Sequence, residues 1–161
     1  MASILGVETL QHTNGTTALT IDSSGRILQP AKPAACFHYG GGNLTGAAII
    51  PLNVQSVLQG GMTMGSNAIT VPVSGLYMIG WYHLNAATST YTVMYIRVNG
   101  SSNSDLPNGW ASQNKTSHSN SSFAFHTIAP LSANDTVDFY VNSGIIHGNA
   151  DYNSMFVYLL G

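Results

Sequence analysis

The sequence predicts an all-β chain: an antiparallel β-sandwich or jelly roll with a short extended N-terminal arm. Three observations predict it. Short runs rich in β-branched and aromatic residues recur along the chain, many with apolar and polar positions alternating as a half-buried strand requires. Polar turn sequences with Gly, Asn, Asp and Ser separate them. No window of a dozen residues holds an i, i+3, i+4, i+7 apolar stripe free of Gly and Pro, so helix signals are almost absent.

The strand-like runs, in order, are ALTID, ACFHY, AAIIPLNV, AITVPV, LYMIGWYHL, YTVMYIRV, SFAFHTI, TVDFYV and SMFVYLL. The turns between them include TNGT, DSSGR, YGGGN, QGGMTMGSN, VNGSSNS, LSANDT and HGNADYN. Residues 1–33 carry single alternating strands and end in QPAKP, a stiff extended connector. So thin a segment encloses no core of its own and is expected to lie on another surface as an anchor arm. Residues 34–161 read as one compact head, and 161 residues suffice to bury a real core without staples.

Composition narrows the function classes. Charged residues make up 6% of the chain, against roughly a quarter in typical soluble proteins. Arg26, Lys32, Arg97 and Lys115 are too few and too scattered for a phosphate-binding face, so no nucleic-acid partner is expected. No run of 18 apolar residues predicts a membrane span, and MASILGVETL lacks the basic and apolar regions of a secretory leader. Cys36, the only cysteine, excludes an internal disulfide and a cysteine-based zinc site and is expected as a small buried hydrophobe.

The chemistry-bearing residues form no recognisable constellation. There is no Gly-x-Ser-x-Gly elbow and no His-Glu-x-x-His. YGGGNLTG has neither the third glycine of a dinucleotide fingerprint nor the lysine of a phosphate loop. Glu8 is the only glutamate, and nothing pairs the five aspartates as a glycosidase would. His38, His83 and His126 sit within predicted strands and are expected as buried or interface histidines with satisfied nitrogens. No enzyme, cofactor or metal is therefore expected. The longest polar stretch, Gly100–Ser122, holds an isolated Trp110 among Asn and Ser. An aromatic ring stacks on the apolar face of a pyranose while amides bond its hydroxyls. Trp110, Asn108 and Asn114 are accordingly the candidate receptor-binding residues, against a plain edge-capping role for Trp110.

ITVPVSGLYMIGWYHL, Ile69 to Leu84, is apolar on both faces after Gly75. Tyr77, Ile79, Trp81 and His83 share one face; Leu76, Met78, Tyr82 and Leu84 share the other. YNSMFVYLL repeats the pattern, with Met155, Val157 and Leu159 opposite Phe156 and Tyr158. One face fills a sandwich; the second requires another cover, for which a neighbouring subunit is a candidate. Leu76, Met78, Tyr82, Met155, Val157 and Leu159 are the candidate interface residues.

ITVPVSGLYMIGWYH resembles the signature of the complement component-1q globular-head family, relatives of the tumour-necrosis-factor jelly rolls. Gly75 and Tyr77 match outright, Trp81 takes the last aromatic place, and Ile69 and Ile79 stand where phenylalanine is usual. YIRVNG, FHTIAPLSANDTVDFYV and YNSMFVYLLG resemble its later strands in order and spacing. The family's collagen stalk is missing; TALTIDSSGRILQPAKPA instead resembles the lead-in of tailed-bacteriophage structural proteins, marine ones especially. The resemblances imply a homotrimeric jelly-roll head in a virion. They lead to the expectation of a non-enzymatic tail-fibre or spike head that attaches to a host-surface glycan, with residues 1–33 docking on other virion proteins. The alternatives are a capsid or neck decoration protein and a secreted lectin-like or signalling head.

Overall fold

The computed structural model describes residues 6–86, 91–101, 112–115 and 121–161. The arm contributes β1 (Thr9–Gln11), β2 (Thr17–Ile21) and β3 (Ile27–Leu28). The head follows with β4 (Ala34–His38), β5 (Leu44–Thr45), β6 (Ala48–Ile49), β7 (Val54–Gln59), β8 (Thr63–Gly65) and β9 (Ala68–Thr70). Its longer strands are β10 (Gly75–Leu84), β11 (Tyr91–Val98), β12 (Ser112–Lys115), β13 (Ser122–Leu131) and β14 (Thr136–Ser143), closed by β15 (Ile145–Ile146) and β16 (Asn153–Leu159). Ala150–Tyr152, a single 3-10 turn, is the only helical element among the described residues.

Two large antiparallel sheets and a two-stranded pairing of β5 with β15 form the head. One has the strand order β13-β10-β16-β4-β7; the other runs β12-β11-β14-β9-β8, with β6 also paired to β14. The chain crosses between the sheets within the Ile69–Leu84 run. Ile69 and Val71 enter the core from the second sheet; Pro72, which has no amide proton for a ladder, ends pairing there, and Gly75 opens β10 in the first. Gly75 gives that corner room, since a Cβ would stand 2.7 Å from Leu159 Cδ1 and 3.1 Å from the Gly161 carbonyl oxygen, and the Leu159 side chain would have to shift.

Alternation assigns the faces. Tyr77, Ile79 and Trp81 of β10 meet Met94 and Ile96 of β11 and Val137, Phe139 and Val141 of β14 in one core, all nearly or fully buried. Trp81 lies 5.0 Å from the Phe125 ring and edge-on to Phe139 at 6.4 Å between centroids. The Tyr77 hydroxyl donates to the Val73 carbonyl at 2.7 Å, so this fully buried side chain keeps its polar end bonded.

On β16 the faces are opposite to the expected assignment. Met155 and Val157 are wholly inside the sandwich, and Leu159 packs against the same core. Met155 and Val157 are therefore not surface residues, and Leu159 is only partly exposed. Alternation turns Ser154, Phe156 and Tyr158 outward instead. The pattern alone permitted either choice, because both faces of that strand are apolar.

The arm is a separate three-stranded antiparallel sheet, β1-β2-β3. Leu10, Ile21, Ile27 and Leu28 on it stay exposed. Its link to the head is short: Leu159 N–H donates to the Pro33 carbonyl, Lys32 Nζ donates to the Leu160 carbonyl, and that ammonium stands 4.8 Å from the Tyr158 ring centroid.

Candidate interaction face

The two outer faces of the sandwich differ in chemistry. On the six-stranded sheet, Arg97 makes two bonds to the Asp138 carboxylate, at 2.6 and 3.0 Å, and its guanidinium stacks 4.6 Å from the Tyr140 ring. That surface is finished by a charge-bearing network. The five strands of the other sheet contain no Asp, Glu, Lys or Arg at all.

Register places that sheet's outward residues in rows. Ile128, Met78, Tyr158, Ala34 and Gln59 form one; His126, Gly80, Phe156, Cys36 and Val57 form the next. Ala124, Tyr82 and Ser154 lie in the third, with His38 beside them. Leu76 is 49% exposed, Ile128 54% and Tyr82 38%, on a face that also presents Phe156, Tyr158 and Met78. Gly80 lets the Phe156 ring lie across β10, since a Cβ there would stand 2.6 Å from Phe156 Cζ. The apolar residues are thus contiguous, which distinguishes them from scattered exposed hydrophobes. Covering the exposed half of Leu76 or Ile128 is worth on the order of 1 kcal/mol per residue. Of the six candidate interface residues, Leu76, Met78 and Tyr82 lie on this face, whereas Met155, Val157 and Leu159 lie behind it.

The far row is polar. His38 Nδ1 bonds the Asn153 carbonyl at 2.6 Å and Nε2 stands 2.7 Å from Ser56 Oγ. Beside them a cleft of about 410 Å³ is bordered by Val54, Tyr82, Asp151 and Ser154. Asn153, buried under this end, fixes two loops: its Oδ1 accepts from Tyr39 N–H at 2.6 Å, and its Nδ2 donates to the carbonyls of Tyr39 and Asn149.

The remaining sequence candidates are placed as follows. Trp110 and Asn108 lie outside the described residues. Asn114 is on β12, opposite Thr92 in the register with β11. Of the strand histidines, His38 has both nitrogens bonded and His126 is exposed. His83 is buried, with Nε2 bonded to Asn85 Oδ1 at 3.0 Å but Nδ1 unpaired, so only half of its expected satisfaction is met. Burial holds its pKa down at about 4. Cys36 is half-buried, and burial raises its thiol pKa, which keeps it protonated and unreactive. Among the described residues no three His, Cys, Asp or Glu side chains cluster as a metal site.

Sequence reasoning missed the His38–Ser56 pair. The signal lay in VQSVLQ, which has no buried face to reveal it as a strand. No protein-family model matches the chain, and no curated protein matches it.

Proposed function

We propose that this chain is a virion structural protein of a tailed phage: a homotrimeric jelly-roll head, carried on the arm of residues 1–33, that attaches to a host-surface glycan. The observation that carries the assembly is the contiguous apolar face of the five-stranded sheet, whose strands contain no Asp, Glu, Lys or Arg. Contiguous apolar surface of this kind marks interaction sites, and a second copy of the same face or its edge is a cover of matching chemistry. The strand order supports the jelly roll: β9, β10 and β11 alternate between the sheets, as do β13, β14 and β16. The signature residues Gly75 and Tyr77 also sit at the corner and core positions where their chemistry is needed. The phage and glycan parts rest on the sequence resemblance and on Trp110 with its Asn neighbours. Weak single-site binding would gain strength by multivalency in such an assembly.

The short arm favours a second reading, a capsid or neck decoration protein. Its three small strands leave Leu10, Ile27 and Leu28 exposed for docking. An immobilised glycan array, probed with the native assembly, separates the two. Retention on a defined glycan class, lost in Trp110→Ala, is the attachment result. No retention on any glycan, together with hundreds of copies per particle by quantitative mass spectrometry, is the decoration result.

A further inference from the structure

We propose that Ser56 is an acylation site, its hydroxyl activated as a nucleophile by His38. The pair is built by a β-bulge. Between β4 and β7 the register runs Cys36 to Val57 and then Phe37 to Gln55, so Ser56 is the extra residue without a partner. Bulges re-aim a side chain in this way. Here the freed hydroxyl stands 2.7 Å from the His38 ring.

The protonation pattern follows from the partners. The Asn153 carbonyl oxygen only accepts, so His38 Nδ1, 2.6 Å from it, carries the proton. The neutral ring then has its lone pair on Nε2, and Ser56 Oγ–H donates to it. That is the ground-state arrangement of a general base with its nucleophile, the carbonyl holding the imidazole in tautomer and orientation. Ser56 is exposed and opens on the cleft next to Tyr82, Asp151 and Ser154. Among the described residues Asp151 is the one carboxylate bordering that cleft and repels anionic acyl donors, so the substrate class is a small neutral ester.

In the step, Ser56 Oγ forms a bond to the ester carbonyl carbon while its proton passes to His38 Nε2. The carbonyl carbon–oxygen bond to the leaving alcohol breaks, and Nε2 returns the proton to that oxygen. The product is an O-acyl serine and a free alcohol. General-base help contributes roughly 10²–10⁴-fold. The expected chemistry is therefore slow and close to one acyl group per chain.

The cleft adjoins the proposed contact face at Tyr82, so the proposal requires that edge to stay open in the native assembly, and the test is run on that assembly. The purified protein is incubated with p-nitrophenyl acetate; phenolate release is followed, and peptide mapping locates the acetyl group. The prediction is one acetyl on Ser56, none there in Ser56→Ala, and a rate on Ser56 lowered about 100-fold or more in His38→Gln. A fluorophosphonate probe read on the wild type gives the same answer without relying on the variants, by labelling Ser56 alone. Acetyl groups confined to lysines or the N-terminal amine would overturn the proposal. So would an unchanged Ser56 rate in His38→Gln, or a wild-type protein that neither reagent labels at Ser56. In those cases the hydroxyl–imidazole bond only ties β4 to β7.

Discussion

Acid should weaken this fold through one buried imidazole. His83 is 1% exposed, and protonation would put a hydrogen on Nδ1, which has no partner in the core. Its folded-state pKa is lowered to about 4, against about 6.5 for an ordinary histidine. Above the ordinary value both the folded and the unfolded chain hold His83 neutral, and its stabilising effect is complete. Between the two values the unfolded chain takes up a proton that the folded one refuses, so stability falls as pH falls. Below the folded value both forms are protonated and the loss stops growing. A gap of this size is worth about 3 kcal/mol in total. The assay is urea unfolding at fixed protein concentration, near pH 7.5 and near pH 4, on wild type and on His83→Gln. The variant is weaker at neutral pH, because Asn85 loses a bond, but it carries no proton at this site. Wild type should therefore lose about 3 kcal/mol more than the variant between the two conditions. Equal losses in both proteins would refute the reasoning.

Other substitutions follow from the same geometry. Asn153→Ala strands the buried amide and carbonyl of Tyr39 and should cost about 3 kcal/mol or more, read as a fall in the urea midpoint. Gly80→Ala brings a Cβ within 2.6 Å of both the Phe125 carbonyl oxygen and the Phe156 ring, and calorimetry should register a loss of about 1–3 kcal/mol. Met78→Asp and Tyr82→Asp place a carboxylate on the apolar outer face. Each should yield monomer or aggregate on size exclusion, and intact assemblies from both would count against that face as the contact.

The all-β class was legible because its cause is local: apolar alternation and turn chemistry act over a few residues. β10, β11, β13 and β14 fall where their alternating runs lie. β7 and β8 did not show themselves, since every residue but Leu58 on those edge strands is exposed and no periodic apolar face marks them. AAIIPLNV looked like one strand but is split: Ala48–Ile49 pair with β14, Val54 already opens β7, and Ile50 and Leu52 are buried in the irregular segment between. The Ile69–Leu84 run was legible as two strand-like stretches, AITVPV and LYMIGWYHL, but not as members of different sheets. It is two strands in opposite sheets, parted at Pro72 and Gly75, and only its second half leaves an apolar face outside. The orientation of β16 was beyond the pattern because Met155 and Phe156 are equally apolar; which of them enters the core is decided by register with β10 and β4. The His38–Ser56 pair depends on a single-residue bulge, a long-range feature that no local composition announces.

Self-association through the uncharged sheet is the central claim, and native mass by light scattering coupled to size exclusion tests it most directly. The prediction is a single species at three times the 17.0 kDa of one chain, stable on dilution. A species at the mass of one chain, unchanged at high protein concentration, would contradict it and leave the apolar rows of Leu76, Met78, Ile128 and Phe156 without a cover.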